Sequence, residues 1–127
     1  LGPKTIHYSD VELRSLEGRD VRLVINENTF GSKELSGGIV WLEPSMVTKP
    51  CHAHMNEEEV VYTTKGDGEV WVDGETATVR AGDFIFFPKG SRHMLRNSGG
   101  TTMQFLFIFA PPIDPSKYKQ YPEVDFT

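Results

Sequence analysis

The reading of this chain turns on Cys51-His52-Ala53-His54-Met55-Asn56-Glu57-Glu58-Glu59, followed after six residues by Gly66, and on a second stretch running from Gly82 through Pro88, Gly90 and His93 to Asn97. His52 and His54 are two positions apart, so on a β-strand both imidazoles point to one face. Glu59 returns on the neighbouring strand after a short turn at Met55-Asn56-Glu57, and His93 arrives from the second stretch. Three imidazoles and one carboxylate form a donor set suited to a divalent transition metal.

These residues resemble the two motifs of the cupin family, G(X)5HXH(X)3-4E(X)6G and G(X)5PXG(X)2H(X)3N. The second motif runs without departure from Gly82 to Asn97. In the first, the position of the opening glycine is taken by Met46, so the turn entering the ligand strand is expected at Pro44 and Ser45 instead. The resemblance implies an all-β fold, an antiparallel double-stranded β-helix or jelly-roll barrel. It also implies one divalent metal per subunit, held by His52, His54, Glu59 and His93. Iron, manganese, nickel, cobalt and zinc all suit such a site, and ligand type does not choose among them.

Glu59 is preferred over its two neighbours because it alone is followed by six residues and then a glycine. Glu57 shares its face but sits next to the turn, and Glu58 fits the shorter gap after His54 but misses Gly66. Cys51 alternates out of phase with His52 and His54, so its thiol reads as a packed or surface group rather than a ligand. As the single cysteine it makes no internal disulfide. His7 lies outside both motifs. Arg92 and Arg96 fall out of phase with His93 and read as surface or interface residues.

Strand signals recur along the rest of the chain. Val21, Leu23 and Ile25 alternate with Arg22, Val24 and Asn26, and Ile39 to Leu42 reads as an apolar run bounded by Gly37-Gly38 and Pro44. Further strands are predicted over 59–64, 69–72, 76–80, 84–87, 93–96 and 102–109, with Asp73-Gly74 as a two-residue hairpin turn. The pattern places the barrel at residues 21–110, with an N-terminal arm over 1–20 and a C-terminal arm over 111–127. Pro111, Pro112, Pro115 and Pro122 interrupt any ladder in that last segment, while Tyr118, Tyr121 and Phe126 offer apolar anchors. It reads as an ordered arm over the barrel or a neighbouring subunit, or a flexible tail, rather than a further strand.

A chain of 127 residues is about one domain. Lys plus Arg number 13 against 18 for Asp plus Glu, a formal charge of -5, which offers no basic face for nucleic acid. Apolar runs such as Phe105 to Ala110 are far shorter than the roughly twenty residues of a membrane span, and no charged start precedes an apolar segment. The expected compartment is the cytoplasm. Stretches such as Phe84 to Phe87 and Phe105 to Phe109 are apolar on both faces, more than one small barrel buries inside, so a homodimer formed by sheet packing is expected.

Cupin barrels host dioxygenases, decarboxylases, isomerases, lyases and non-catalytic binding domains, so the resemblance does not choose the reaction. The chain reads as a small metalloenzyme whose metal acts as Lewis acid or oxygen-activating centre on a small oxygen-rich substrate, a carboxylate or enol. The alternative is a non-catalytic module that holds a small ligand. Val61 and Thr63 share a face with Glu59, and Leu95 shares one with His93, so these flank the ion on a regular ladder. The last strand has two open phases. Either Met103, Phe105 and Phe107 face inward, or Gln104, Leu106 and Ile108 do, and in the second phase Gln104 is a polar handle on substrate. No residue besides the ligands stands out as a general base.

Overall fold

A computed structural model describes residues 2–127. Its strands are β1 (Arg14–Leu16), β2 (Arg19–Ile25), β3 (Ser36–Leu42), β4 (Cys51–His54), β5 (Glu58–Lys65), β6 (Asp67–Val72), β7 (Glu75–Arg80), β8 (Phe84–Phe87), β9 (His93–Asn97), β10 (Met103–Ala110) and β11 (Tyr118–Tyr121). They form two antiparallel sheets, one ordered β1-β2-β3-β10-β5-β8 and the other β11-β4-β9-β6-β7. The sheets face each other as a jelly-roll barrel, the predicted fold. Among the described residues no helix is long and apolar enough to cross a membrane.

The core lies between the sheets, where Val40, Leu42, Val61, Val70, Val79, Phe87, Leu95, Met103, Phe105, Phe107 and Phe109 are buried. Alternation explains the assignment, because inward residues repeat every second position of each strand. The hairpin at Asp73-Gly74 has positive φ at both residues, 46° and 92°, as a two-residue turn between twisted strands requires.

Four expectations are corrected. Gly37-Gly38 does not bound β3 but lies inside it, because a Cβ on Gly38 would come within 2.0 Å of the Arg22 carbonyl oxygen of the adjoining strand. The ladder between β2 and β3 slips between Arg22 and Ile25, beside these glycines. The N-terminal arm is not separate as far as residue 20, because β1 pairs with β2 and begins the first sheet at Arg14. The C-terminal arm contributes a strand: its four prolines flank Tyr118–Tyr121 without entering it, and β11 pairs antiparallel with β4. Gln104 does not face the cavity, because β10 takes the phase that buries Met103, Phe105, Phe107 and Phe109. On the outer face its amide oxygen accepts a hydrogen bond from Trp41 Nε1 at 3.0 Å.

Past β11 the chain crosses the outer face of the five-stranded sheet. There Cys51, Trp71 and Met94 form a second cluster with Val47, Tyr121, Val124 and Phe126 packed on it. The Arg92 guanidinium lies 5.8 Å from the Trp71 ring centroid and 5.7 Å from that of Tyr121, and the Arg96 guanidinium 4.2 Å from that of Phe126. Both arginines therefore hold the C-terminal segment down on the barrel surface.

Candidate metal centre

The ligand strand is delivered by a turn at Glu43-Pro44-Ser45-Met46, where the Met46 N–H donates to the Glu43 carbonyl and Ser45 takes φ 71°. The positive φ falls on Ser45, one residue before the position where the family motif carries glycine, and Pro44 presets the preceding residue. The chain then runs along β9: Ser45 N–H donates to the Asn97 carbonyl, Asn97 N–H to the Met46 carbonyl, and Thr48 N–H to the Leu95 carbonyl. Asn97 is fully buried and locks the same corner, its Nδ2 donating to the carbonyls of Leu42 at 2.9 Å and Thr101 at 2.8 Å. That registration sets His52 directly opposite His93.

His52, His54, His93 and Glu59 are all buried. The imidazoles offer ligand nitrogens that lie within 4.8 Å of one another. Glu59 closes the cluster from the opposite sheet, with Oε1 at 3.2 Å from His93 Nε2 and 3.7 Å from His54 Nε2. It stands on β5 between its paired residues Phe87 of β8 and Phe109 of β10. Those two rings also hold imidazoles, Phe87 stacked on His93 at 4.0 Å and Phe109 edge-on to His54 at 4.6 Å. Phe87 and Phe109 thus brace two of the imidazoles and flank the carboxylate.

Nδ1 of His52 lies 3.0 Å from the Pro50 carbonyl, and Nδ1 of His93 lies 3.1 Å from the Ser91 carbonyl. A carbonyl only accepts, so the proton is assigned to Nδ1 in both rings and each Nε2 carries a free electron pair. His93 Nε2 and Glu59 Oε1 are both buried without a hydrogen-bond partner. Two acceptors in contact ask for a cation between them. The donor set therefore fits a metal ion. Burial is the main cause that pushes the His54 pKa from 6.5 down to about 3, followed by the charges of His93 and Arg19. Burial likewise holds His52 well below its ordinary value, so both rings stand neutral and ready to ligate near pH 7. The Cys51 thiol faces the other side of the sheet, and burial pushes its pKa up.

The cluster lines a cavity of about 510 Å³ between the sheets. Its walls are mostly apolar, with Val21, Leu23, Leu95, Phe105, Phe107 and Ile113 among them. Leu95, in phase with His93 on β9, is one of these lining residues. Val61 and Thr63 are packed in the core further along β5 and do not line the cavity. Sequence reasoning missed Tyr118, whose ring centroid lies 5.2 Å from that of His52 and 5.4 Å from that of His54. It also missed Arg14, Arg19 and Gln120 at the cavity. Glu57 has a separate role: it is 1% exposed, and its Oε2 accepts the Asp114 N–H at 2.9 Å, tying down the segment that carries Tyr118.

Comparison with known proteins agrees with this architecture. The chain is 30% identical over 108 residues to Protein SchB of Streptomyces halstedii, covering 85% of this chain and 78% of that protein. It is 29% identical over 109 residues to Polyketide synthase CurC of Streptomyces cyaneus, covering 86% of this chain and 70% of that one. The structure of the polyketide cyclase RemF from Streptomyces resistomycificus superposes with a TM-score of 0.78 at 22% identity, over 99% of this chain and 88% of that one, and so shares the fold. The family model described as Cupin domain matches residues 38–109, the stretch that holds all four site residues. The chain belongs to the cupin domain family.

Proposed function

We propose that His52, His54, His93 and Glu59 hold one divalent transition metal and that the protein is a small metalloenzyme acting on an oxygen-rich substrate with carboxylate or enol oxygens. The observation that carries this reading is the buried contact of two acceptors, His93 Nε2 and Glu59 Oε1, at 3.2 Å without partners. When bound, the ion supplies Lewis acidity or, if redox-active, a centre for oxygen activation. The chain's own residues prepare the place. The Pro50 and Ser91 carbonyls fix two rings in the ligating tautomer, while Phe87 and Phe109 flank the carboxylate on the neighbouring strands. The apolar walls receive the carbon skeleton of the substrate.

The relative named as a polyketide synthase supports a substrate with 1,3-related carbonyl or phenolic oxygens, since a chain of alternating keto groups presents such oxygens on an apolar backbone. The test is elemental analysis of untagged protein purified without chelator, followed by turnover and oxygen uptake on β-diketones and hydroxyaromatic acids. Stoichiometric metal with turnover supports the reading. Metal near zero in protein that also fails to take up added zinc, nickel or iron overturns it, and metal with saturable binding but no turnover favours the non-catalytic module.

The same reading includes a homodimer. The outer face of the six-stranded sheet carries Phe84 at 74% exposure and Phe86 at 53%, with Val60 and Leu106 beside them. Phe86 pairs with Val60 and Phe84 with Tyr62, so the apolar side chains form one continuous patch. In a chain of net charge -5, this apolar patch is where a second copy docks with least repulsion.

A further inference from the structure

The stretch matched by the family model, residues 38–109, leaves out both edges of the cavity. One edge is β1 with β2, and the other is β11; β1 and β11 are the last strands of their sheets. In the first, Arg14 pairs with Val21 and Leu16 with Arg19. Directly paired residues share a face, and Val21 packs on the core, so both arginines lie on the inward side of the sheet. Arg19 Nη1 donates to the carbonyls of Glu17 at 3.0 Å and Lys49 at 2.9 Å, which holds its guanidinium at the approach to β4. Gly18, in the turn, keeps the hairpin there: its φ is 77°, and a Cβ would fall 1.9 Å from the Val47 carbonyl oxygen.

On the other edge Tyr118 pairs with His54 and Gln120 with His52, which turns both side chains to the ligand face. Away from the imidazole cluster, the charged or hydrogen-bonding side chains of Arg14, Arg19, Lys49, Tyr118 and Gln120 line the cavity, against the single carboxylate of Glu17 there. The mouth is therefore rich in N–H and O–H donors and locally positive within an acidic chain. Between mouth and cluster the walls are apolar. Arg14 is exposed and Arg19 half-buried at this rim, where a planar guanidinium can meet a carboxylate with two parallel hydrogen bonds.

We propose that the mouth is an anion-recognition subsite, in which Arg14 and Arg19, opposite Tyr118 and Gln120, receive the ionised carboxylate of an elongated organic acid. The apolar or aromatic body of that acid fills the cavity, and its far end carries the oxygens that reach the imidazole cluster. The inner end of this assignment rests on the metal-centre reading above; the outer end rests on the two arginines alone. Residues outside the common cupin domain thus set which acids the site accepts.

The experiment is calorimetric titration of the zinc-loaded protein with monohydroxamates of dicarboxylic acids from adipic to sebacic, each beside the fatty hydroxamate of equal length. The chelating head is common to each pair, and only the distal carboxylate differs. At one chain length or more the acid is expected to bind about ten-fold tighter, as one charge-assisted contact gives. That advantage shrinks with added salt and disappears in Arg14→Gln and Arg19→Gln, which bind the fatty hydroxamates unchanged. Among the described residues the Arg14 side chain makes no hydrogen bond, so its variant reads recognition even if Arg19→Gln loosens the turn. Equal affinity for both members of every pair, or an advantage that survives the double variant, overturns the proposal. If neither hydroxamate binds, the metal reading has failed, and metal-free protein with 6-phenylhexanoate against 6-phenylhexanol decides the mouth by the same dependence on Arg14 and Arg19.

Discussion

His52 and His93 are directly paired residues of β4 and β9, and their ring centroids lie 4.4 Å apart. Two residues from separate motifs thus meet as neighbours across one ladder, with His54 two residues along the first strand. Replacing either paired histidine by alanine removes a donor that no other side chain replaces. We expect His52→Ala and His93→Ala to weaken zinc or nickel binding by more than about a hundred-fold, beyond the effect of losing an outer-shell partner. Equilibrium dialysis reads the loss, and far-ultraviolet circular dichroism should show the barrel intact. Unchanged metal stoichiometry in both variants would remove the assignment.

Glu57 and Glu59 are two residues apart and expected to behave differently. Glu59→Gln should lower metal affinity and leave the thermal midpoint of the metal-free protein nearly unchanged. Glu57→Gln should leave metal stoichiometry unchanged but weaken a buried charge-assisted hydrogen bond to Asp114 N–H, a loss of about 1.5–3 kcal/mol. The readouts are the thermal midpoint and amide hydrogen exchange at Asp114 and Tyr118. Metal loss in Glu57→Gln would show that the two carboxylates had been assigned the wrong way round.

In the metal-free protein, stability should depend on His54. Its folded-state pKa is lowered from 6.5 to about 3, so below 6.5 the unfolded chain binds a proton that the folded chain refuses. Its stabilisation is complete above that value and is lost as pH falls toward 3. His52 is shifted in the same direction and adds to the slope. Urea midpoints between about pH 7 and about pH 4 measure the decline, with His54→Gln expected to flatten it. An equal slope in that variant would exclude His54 as the source.

Phe84→Glu places a charge on the outer apolar face, where Phe84 is 74% exposed and its ring lies 4.5 Å from that of Tyr62. The variant should sediment as a monomer at concentrations where the parent is a dimer, with the affinity between copies weakened by at least roughly ten-fold. A parent chain that is itself monomeric at high concentration removes this face as a contact between copies.

Much of the site was legible because its logic is periodic. His52 and His54 differ by two, and glycine and proline fix the reversals that return Glu59 and His93. The turn at Pro44 and Ser45 was also readable, and Ser45 at φ 71° gives it a test. Ser45→Gly should stabilise the protein by about 1 kcal/mol, since glycine carries no left-handed penalty. What could not be read was phase and edge. In β10 both alternating sets are apolar, so hydrophobicity gave no reason to prefer Phe105 over Leu106, and Gln104 was left open to either side. Gly37-Gly38 looks like a turn in sequence because the close approach of Arg22 that requires small residues is a tertiary fact. Tyr118 was hidden because a four-residue strand between prolines has no pattern of its own and exists only by pairing with β4.

That pairing also sets an order of events during synthesis. The ligand strand Cys51–His54 meets Tyr118–Tyr121 only after the ribosome has made β5 to β10 between them. Contacts so distant along the chain form late. A nascent chain that has just completed β10 therefore owns all three imidazoles but only one flank of the strand that bears two of them. Metal captured at that stage would sit in a bowl open on one side, and the last strand would shut the wall around it.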